Sequence, residues 1–159
     1  MRRTHAVRWI ALSAVAVVVP GMSMAEPAAA AESVHIEAAT SFSDPVSLFT
    51  SDLDGCDWGT VENGRFAAPP SRGLGTFSGA KVFTCLVGDM ADVEHAVAVG
   101  GFTLHLTAHF PVGPGSIGRW SVVDSWGSVD GMRANGSLVG EGNDEGINDI
   151  YDGTIRAGG

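Results

Sequence analysis

The chain has 159 residues, 45% of them hydrophobic and only 17% charged, with 22 glycines and 2 cysteines, which is material for one domain. Glycine is about twice its usual ~7% share, but it follows no G-X-Y period and sits among Val, Ile, Phe and Thr, which excludes collagen and disorder. Nine basic residues against eighteen acidic ones, a net charge of −9, exclude the phosphate-neutralising surface that nucleic acid requires.

Residues 1–25 read as a signal peptide. Arg2, Arg3 and Arg8 form a basic start, and the apolar run Trp9–Val19 is too short to cross a ~30 Å hydrocarbon core as a helix. Pro20 ends that run, and Ser23-Met24-Ala25 supplies the small residues of a cleavage site, with a second cut available at Ala31. Without its three leader arginines the chain carries six basic and eighteen acidic side chains, a net charge of −12. The expectation is a secreted, extracellular protein with no membrane insertion after cleavage, a flexible Ala-rich leader over 26–33 and a single domain over 34–159.

Within that domain, β-branched and aromatic segments alternate with Gly, Asp, Asn and Pro at a spacing of about 8 to 12 residues. They predict eight strands, in chain order Val34–Ser43, Val46–Leu53, Thr60–Phe66, Gly75–Cys85, Phe102–Val112, Gly118–Asp124, Ala134–Gly140 and Ile147–Arg156. The fold class is all-β, a sandwich or barrel. The fifth strand is the clearest, because Phe102, Leu104, Leu106, Ala108 and Phe110 share one face while Thr103, His105, Thr107 and His109 share the other. One segment, Asp89–Val99, is read as a short helix or loose insertion, since Met90, Val93 and Val97 fall at helical spacing between Gly88 and Gly100.

Cys56 and Cys85 are read as one disulfide, the natural state of two thiols in an exported chain with no C-x-x-C motif. Gly113-Pro-Gly-Ser-Ile-Gly118 satisfies G-x-G-x-x-G, but Arg119-Trp-Ser-Val-Val123 continues as strand, so the helix a dinucleotide needs is not predicted. No motif calls for a cofactor. The carboxylates of Asp52, Asp54 and Asp57 lack the order of a calcium loop and are turn formers. No metal site is read.

Catalytic candidates are few. His105 and His109 share a strand face, yet four strand residues at ~3.3 Å each hold them about 13 Å apart, too far for one metal. Each would act alone, with Glu94, His95 or Arg119 as a neighbour that the sequence does not place. No G-x-S-x-G elbow is present. Trp58, Phe83, Phe102, Trp120 and Trp126 are the candidate lining of a lumen that holds a small apolar ligand; filling a closed core is the other use of the same residues.

Several of these segments resemble the bacterial secreted proteins of the allene oxide cyclase barrel-like group, related in fold to allene oxide cyclases and dirigent proteins. The carrying residues are Leu74-Gly-Thr-Phe77 with Val82-Phe-Thr-Cys85, Gly101-Phe-Thr-Leu-His-Leu106, Gly118-Arg-Trp-Ser-Val-Val123 and Gly146-Ile147 with Tyr151-Asp-Gly-Thr-Ile155. A glycine-rich corner follows over Ser125–Gly136, with Ser125, Trp126, Val129 and Ala134 departing from its usual residues. The resemblance implies an eight-stranded, mainly antiparallel β-barrel in a small homo-oligomer, and it transfers no catalytic residue.

Three functions follow as expectations. The first is a carrier of a small apolar molecule without catalysis. The second is a cyclase or isomerase of a hydrophobic unsaturated substrate, with His105, His109 or Arg119 as acid or stabiliser. The third is an envelope or surface interaction protein. An open lumen with an ionisable group favours the enzyme, a dry open lumen the carrier, and a filled barrel the interaction role.

Overall fold

A computed structural model describes residues 31–41, 47–66, 76–109, 115–142, 144 and 146–156. The expected signal peptide and most of the leader lie outside them. Eight strands follow one another: β1 (Glu32–Ser41), β2 (Ser47–Ser51), β3 (Trp58–Phe66), β4 (Thr76–Val87), β5 (Val97–His109), β6 (Ser116–Gly127), β7 (Arg133–Gly142) and β8 (Gly146–Arg156). Each pairs antiparallel with its chain neighbours, and β1 closes on β8, so the sheet is a closed barrel.

The expected strands are all present; their ends at 42–43, 46, 75 and 110–112 lie outside the described residues, and most of the others shift by one to five residues. Of the short helix or loose insertion expected over Asp89–Val99, the structure has the insertion: the β4–β5 hairpin extends until Val87 pairs with Val97, and a loop with a single 3-10 turn, Val93–His95, closes it. Eleven residues of weak amphipathic pattern are too few to hold a helix alone. Pairing with β4 gives the same backbone groups partners that an isolated helix lacks. No α-helix occurs among the described residues, and no helix there is long and apolar enough to cross a membrane.

Alternation sorts the side chains. Val34, Ile36 and Ala38 of β1, Phe83 and Cys85 of β4, and Phe102, Leu104, Leu106 and Ala108 of β5 point inward and are buried. The middle of the barrel is filled with rings. Phe83 and Phe102, directly paired in register, stack at 4.8 Å, Phe49 meets Phe83 edge-on at 5.0 Å, and Tyr151 lies edge-on to Phe83 at 5.8 Å and to Trp120 at 6.1 Å. Such contacts add ~0.5–1.5 kcal/mol each beyond area burial. Trp120 also donates its indole N–H to the Ser137 carbonyl at 2.9 Å. Gly153 makes room for that ring, since a Cβ there would lie 2.8 Å from Trp120 Cζ2.

The two ends of the barrel differ in chemistry. At one, the Cys56–Cys85 disulfide ties the β2–β3 connection to β4, with a Cα–Cα distance of 5.0 Å, next to the corner 128–132 between β6 and β7. Near the other end the inward positions turn polar, as Thr40, Ser47, Lys81, Ser116 and Asp149 are all buried.

Candidate functional site

The polar end is built around an ion pair. Lys81 shares the inward parity of β4 with Phe83 and Cys85, and Asp149 shares that of β8 with Tyr151, so closing the barrel drives both charges into the interior. The Lys81 ammonium donates to the Asp149 carboxylate and, at 3.0 Å, to the Thr40 hydroxyl. The Tyr151 hydroxyl donates to the same carboxylate at 3.4 Å. Burial, aided by the Asp149 charge, pushes the Tyr151 phenol well above its ordinary value, so it stays protonated. Gly140 leaves the carboxylate its space, since a Cβ there would lie 2.5 Å from Ser116 Oγ and 2.7 Å from Asp149 Oδ1. No buried side-chain polar atom among the described residues lacks a partner. Chemically the cluster is a closed network in which each of these polar groups already has a partner.

The sequence candidates do not assemble inside the barrel. His105, His109 and Arg119 are exposed on the outer face, opposite Ser121, Ile117 and Thr107 respectively, and none reaches the lumen. His95 sits on the β4–β5 loop and pairs instead with Asp92, Nδ1 to Oδ1 at 2.7 Å. Phe83, Phe102 and Trp120 are in the core, where they fill the space they were expected to line. Trp58, opposite Thr50 in register, takes the outward parity although it is only 9% exposed. Trp126 is 47% exposed and lies outside over Gly101, which corrects its placement in the lumen. The cause is a bulge. Thr103 pairs with Asp124 but Leu104 with Val122, so Val123 is an extra residue and every β6 side chain beyond it changes face. Phe110 lies outside the described residues.

Sequence reasoning passed over Lys81, Asp149 and Tyr151. The available signal was parity, since a lysine in phase with Phe83 and Cys85, and an aspartate in phase with Tyr151, are charges on an apolar face.

One opening breaks the barrel wall. The β6–β7 ladder ends at Ser121↔Asn135, while β6 continues to Gly127 along β5 and β7 starts at Arg133 along β8. The splayed strands border a cleft of about 850 Å³ beside the corner 128–132. Val122 and Val123 form its apolar part, over the buried Met132 and Ala134, and Asp124, Asp130, Arg133 and Arg156 its charged rim. A second depression of about 340 Å³ lies between β1, β2 and β8, lined by the outer Glu37, Thr50 and Asn148 and by the inward Ala38, Phe49 and Asp149.

The outer face also carries a bracketed histidine. His35 Nδ1 lies 2.6 Å from Asp152 Oδ1 and Nε2 lies 3.1 Å from Glu37 Oε1, while its backbone N–H donates to Asp52 Oδ1 at 2.8 Å. The hydrogen bond to Asp152, then that to Glu37, raises the His35 pKa above 6.5. Asp52 is thus committed to a long-range contact with the backbone of β1. No group of three or more His, Cys, Asp or Glu side chains among the described residues is arranged to hold a metal ion.

Compared with protein-family models, with curated proteins and with solved structures, the chain matches none.

Proposed function

We propose that this chain is an exported barrel that binds a small, largely apolar molecule without transforming it, and that the molecule sits in the wall cleft between β6 and β7. The observation that carries this is the contrast between the two spaces. The lumen is occupied by Phe49, Phe83, Phe102, Trp120 and Tyr151, whereas the end of the β6–β7 ladder leaves about 850 Å³ in which Val122 and Val123 present apolar surface beside the buried Met132 and Ala134. A preformed concavity in which apolar surface and polar groups converge is a candidate ligand site. Export is supported by the basic and apolar start of the sequence and by the Cys56–Cys85 bridge, which belongs to an oxidising compartment. The resemblance to the allene oxide cyclase barrel-like group supports a barrel that handles small hydrophobic molecules, and carries no residue role.

A cyclase or isomerase is less favoured, because its acid would have to come from Lys81, Asp149 or Tyr151, already bonded to one another beside a filled interior. The surface-interaction reading has its own support. Ile117 and Val139 are paired in register and 43% and 42% exposed, and Ile150 continues the row on β8. An apolar row on an outer face suits a protein partner, including a second copy in a homo-oligomer.

The test is an amide NMR titration of the mature protein with the neutral apolar probe 1-naphthol. Shifts confined to Val122, Asp124, Met132 and Ala134 are expected. Shifts centred on Phe83 and Phe102 would return the ligand to the lumen. Dilution-dependent shifts at Ile117 and Val139 with none in the cleft would replace binding by association.

A further inference from the structure

We infer that the occupant of the β6–β7 cleft is a short apolar peptide with free termini, an inference that rests on the cleft being the binding site. Three separate features of the same gap converge on that chemistry.

The first is backbone. Beyond Ser121↔Asn135 the β6 strand is held only by β5, through to Gly100↔Gly127, so the edge of Val122–Gly127 that faces β7 has no ladder partner. Backbone N–H and C=O groups need partners, and an added extended segment supplies them in register. A ligand rich in amide groups uses such an edge; a hydrocarbon does not.

The second is charge, divided between the two banks. Asp124 stands on β6, and Asp130 closes the corner. Across the gap, Arg133 of β7 is paired in register with Arg156 of β8. Like charges directly opposite on neighbouring strands repel, and none of these four side chains belongs to an ion pair among the described residues. One bank therefore offers carboxylate to an ammonium, and the other offers two planar forks to a carboxylate, the geometry that guanidinium matches best. The third feature is the apolar surface at Val122 and Val123, which suits aliphatic side chains between the two termini. A molecule with an ammonium, amides, small apolar groups and a carboxylate is a peptide of two or three residues.

Calorimetric titration of the mature protein with trileucine tests this, because the ligand's termini can be altered one at a time. Trileucine is expected to bind, and either amidation of its C-terminus or acetylation of its N-terminus to weaken binding by about tenfold or more, the loss of ~1.4 kcal/mol of charge-assisted contact. Arg133→Gln with Arg156→Gln should abolish the preference for the free carboxylate alone, and Asp124→Asn that for the free ammonium alone. These residues are exposed, and an unchanged melting curve shows that each variant folds. If the doubly blocked peptide binds as tightly as the free one, or 1-naphthol binds the cleft and trileucine does not, the inference fails while the cleft remains the binding site. If neither molecule shifts the cleft amides, both fail together.

Discussion

Lys81 on β4 and Asp149 on β8 form an ion pair across the barrel interior, on two strands that stand as far apart around the ring of eight as strands can. Their side chains are 7% and 8% exposed, so neither charge has water to fall back on. Lys81→Met should cost about 3 to 5 kcal/mol, because it leaves a buried carboxylate without its cation, and Asp149→Leu should cost a similar amount. The double variant should recover most of that loss, since an apolar pair leaves no charge stranded. Urea unfolding of the four proteins measures this cycle; single variants within ~1 kcal/mol of the parent would show that the pair is solvated in solution.

The Cys56–Cys85 bridge spans a sequence separation of 29 residues. In the chain-entropy account, closing such a loop contributes roughly 3 to 4 kcal/mol. Cys56→Ser should therefore lower the melting temperature by several degrees, as should reduction of the parent, and an unchanged melt would refute a structural role for the bridge.

His105 and Phe102 lie three residues apart on β5 with opposite parity, and they should behave oppositely. His105 is exposed, so His105→Ala should leave stability within ~0.5 kcal/mol. Phe102 is 1% exposed and stacked on Phe83, so Phe102→Ala should cost about 3 to 5 kcal/mol. A loss above ~2 kcal/mol for His105→Ala would place it in a network that the barrel does not show.

His35 gives the outer face a pH dependence of defined sign. Its folded pKa is raised by the hydrogen bonds to Asp152 and Glu37, so its contribution is fully present below the unfolded value near 6.5 and is lost as pH rises through the folded one. The urea midpoint should fall as pH rises above about 6.5, and His35→Gln should flatten that part of the profile. NMR titration of the ring should give a midpoint above 6.5; one at or below it would mean that the bracketing carboxylates are screened in solution.

Much of the fold was legible because strand geometry has a period of two. Phe102 to His109 shows its faces directly, and each of the eight segments maps onto a strand of the barrel. Two failures have local causes. The apolar spacing of Met90, Val93 and Val97 suggested a helix, but the β4 ladder runs on to Val87 and captures Val97. Trp126 is in phase with Trp120, and only the extra residue at Val123 turns it outward. A bulge leaves no mark in composition, so parity arguments cannot be carried past one.

The candidate site was less legible. That Arg133 faces Arg156, and that Lys81 meets Asp149, depends on which residues of distant strands come level when the sheet closes. Period-two patterning says which face a side chain takes, but nothing about its partner 68 residues away. The sequence by itself determined the class of element, the inward face of β5, the pair of cysteines and the acidic balance, because each follows from local pattern or composition. Tertiary structure decided the register, the bulges, the point where β6 and β7 part and the pairing of buried charges. Those are set by ring closure and by the packing of large rings against small residues, which involve the whole barrel at once.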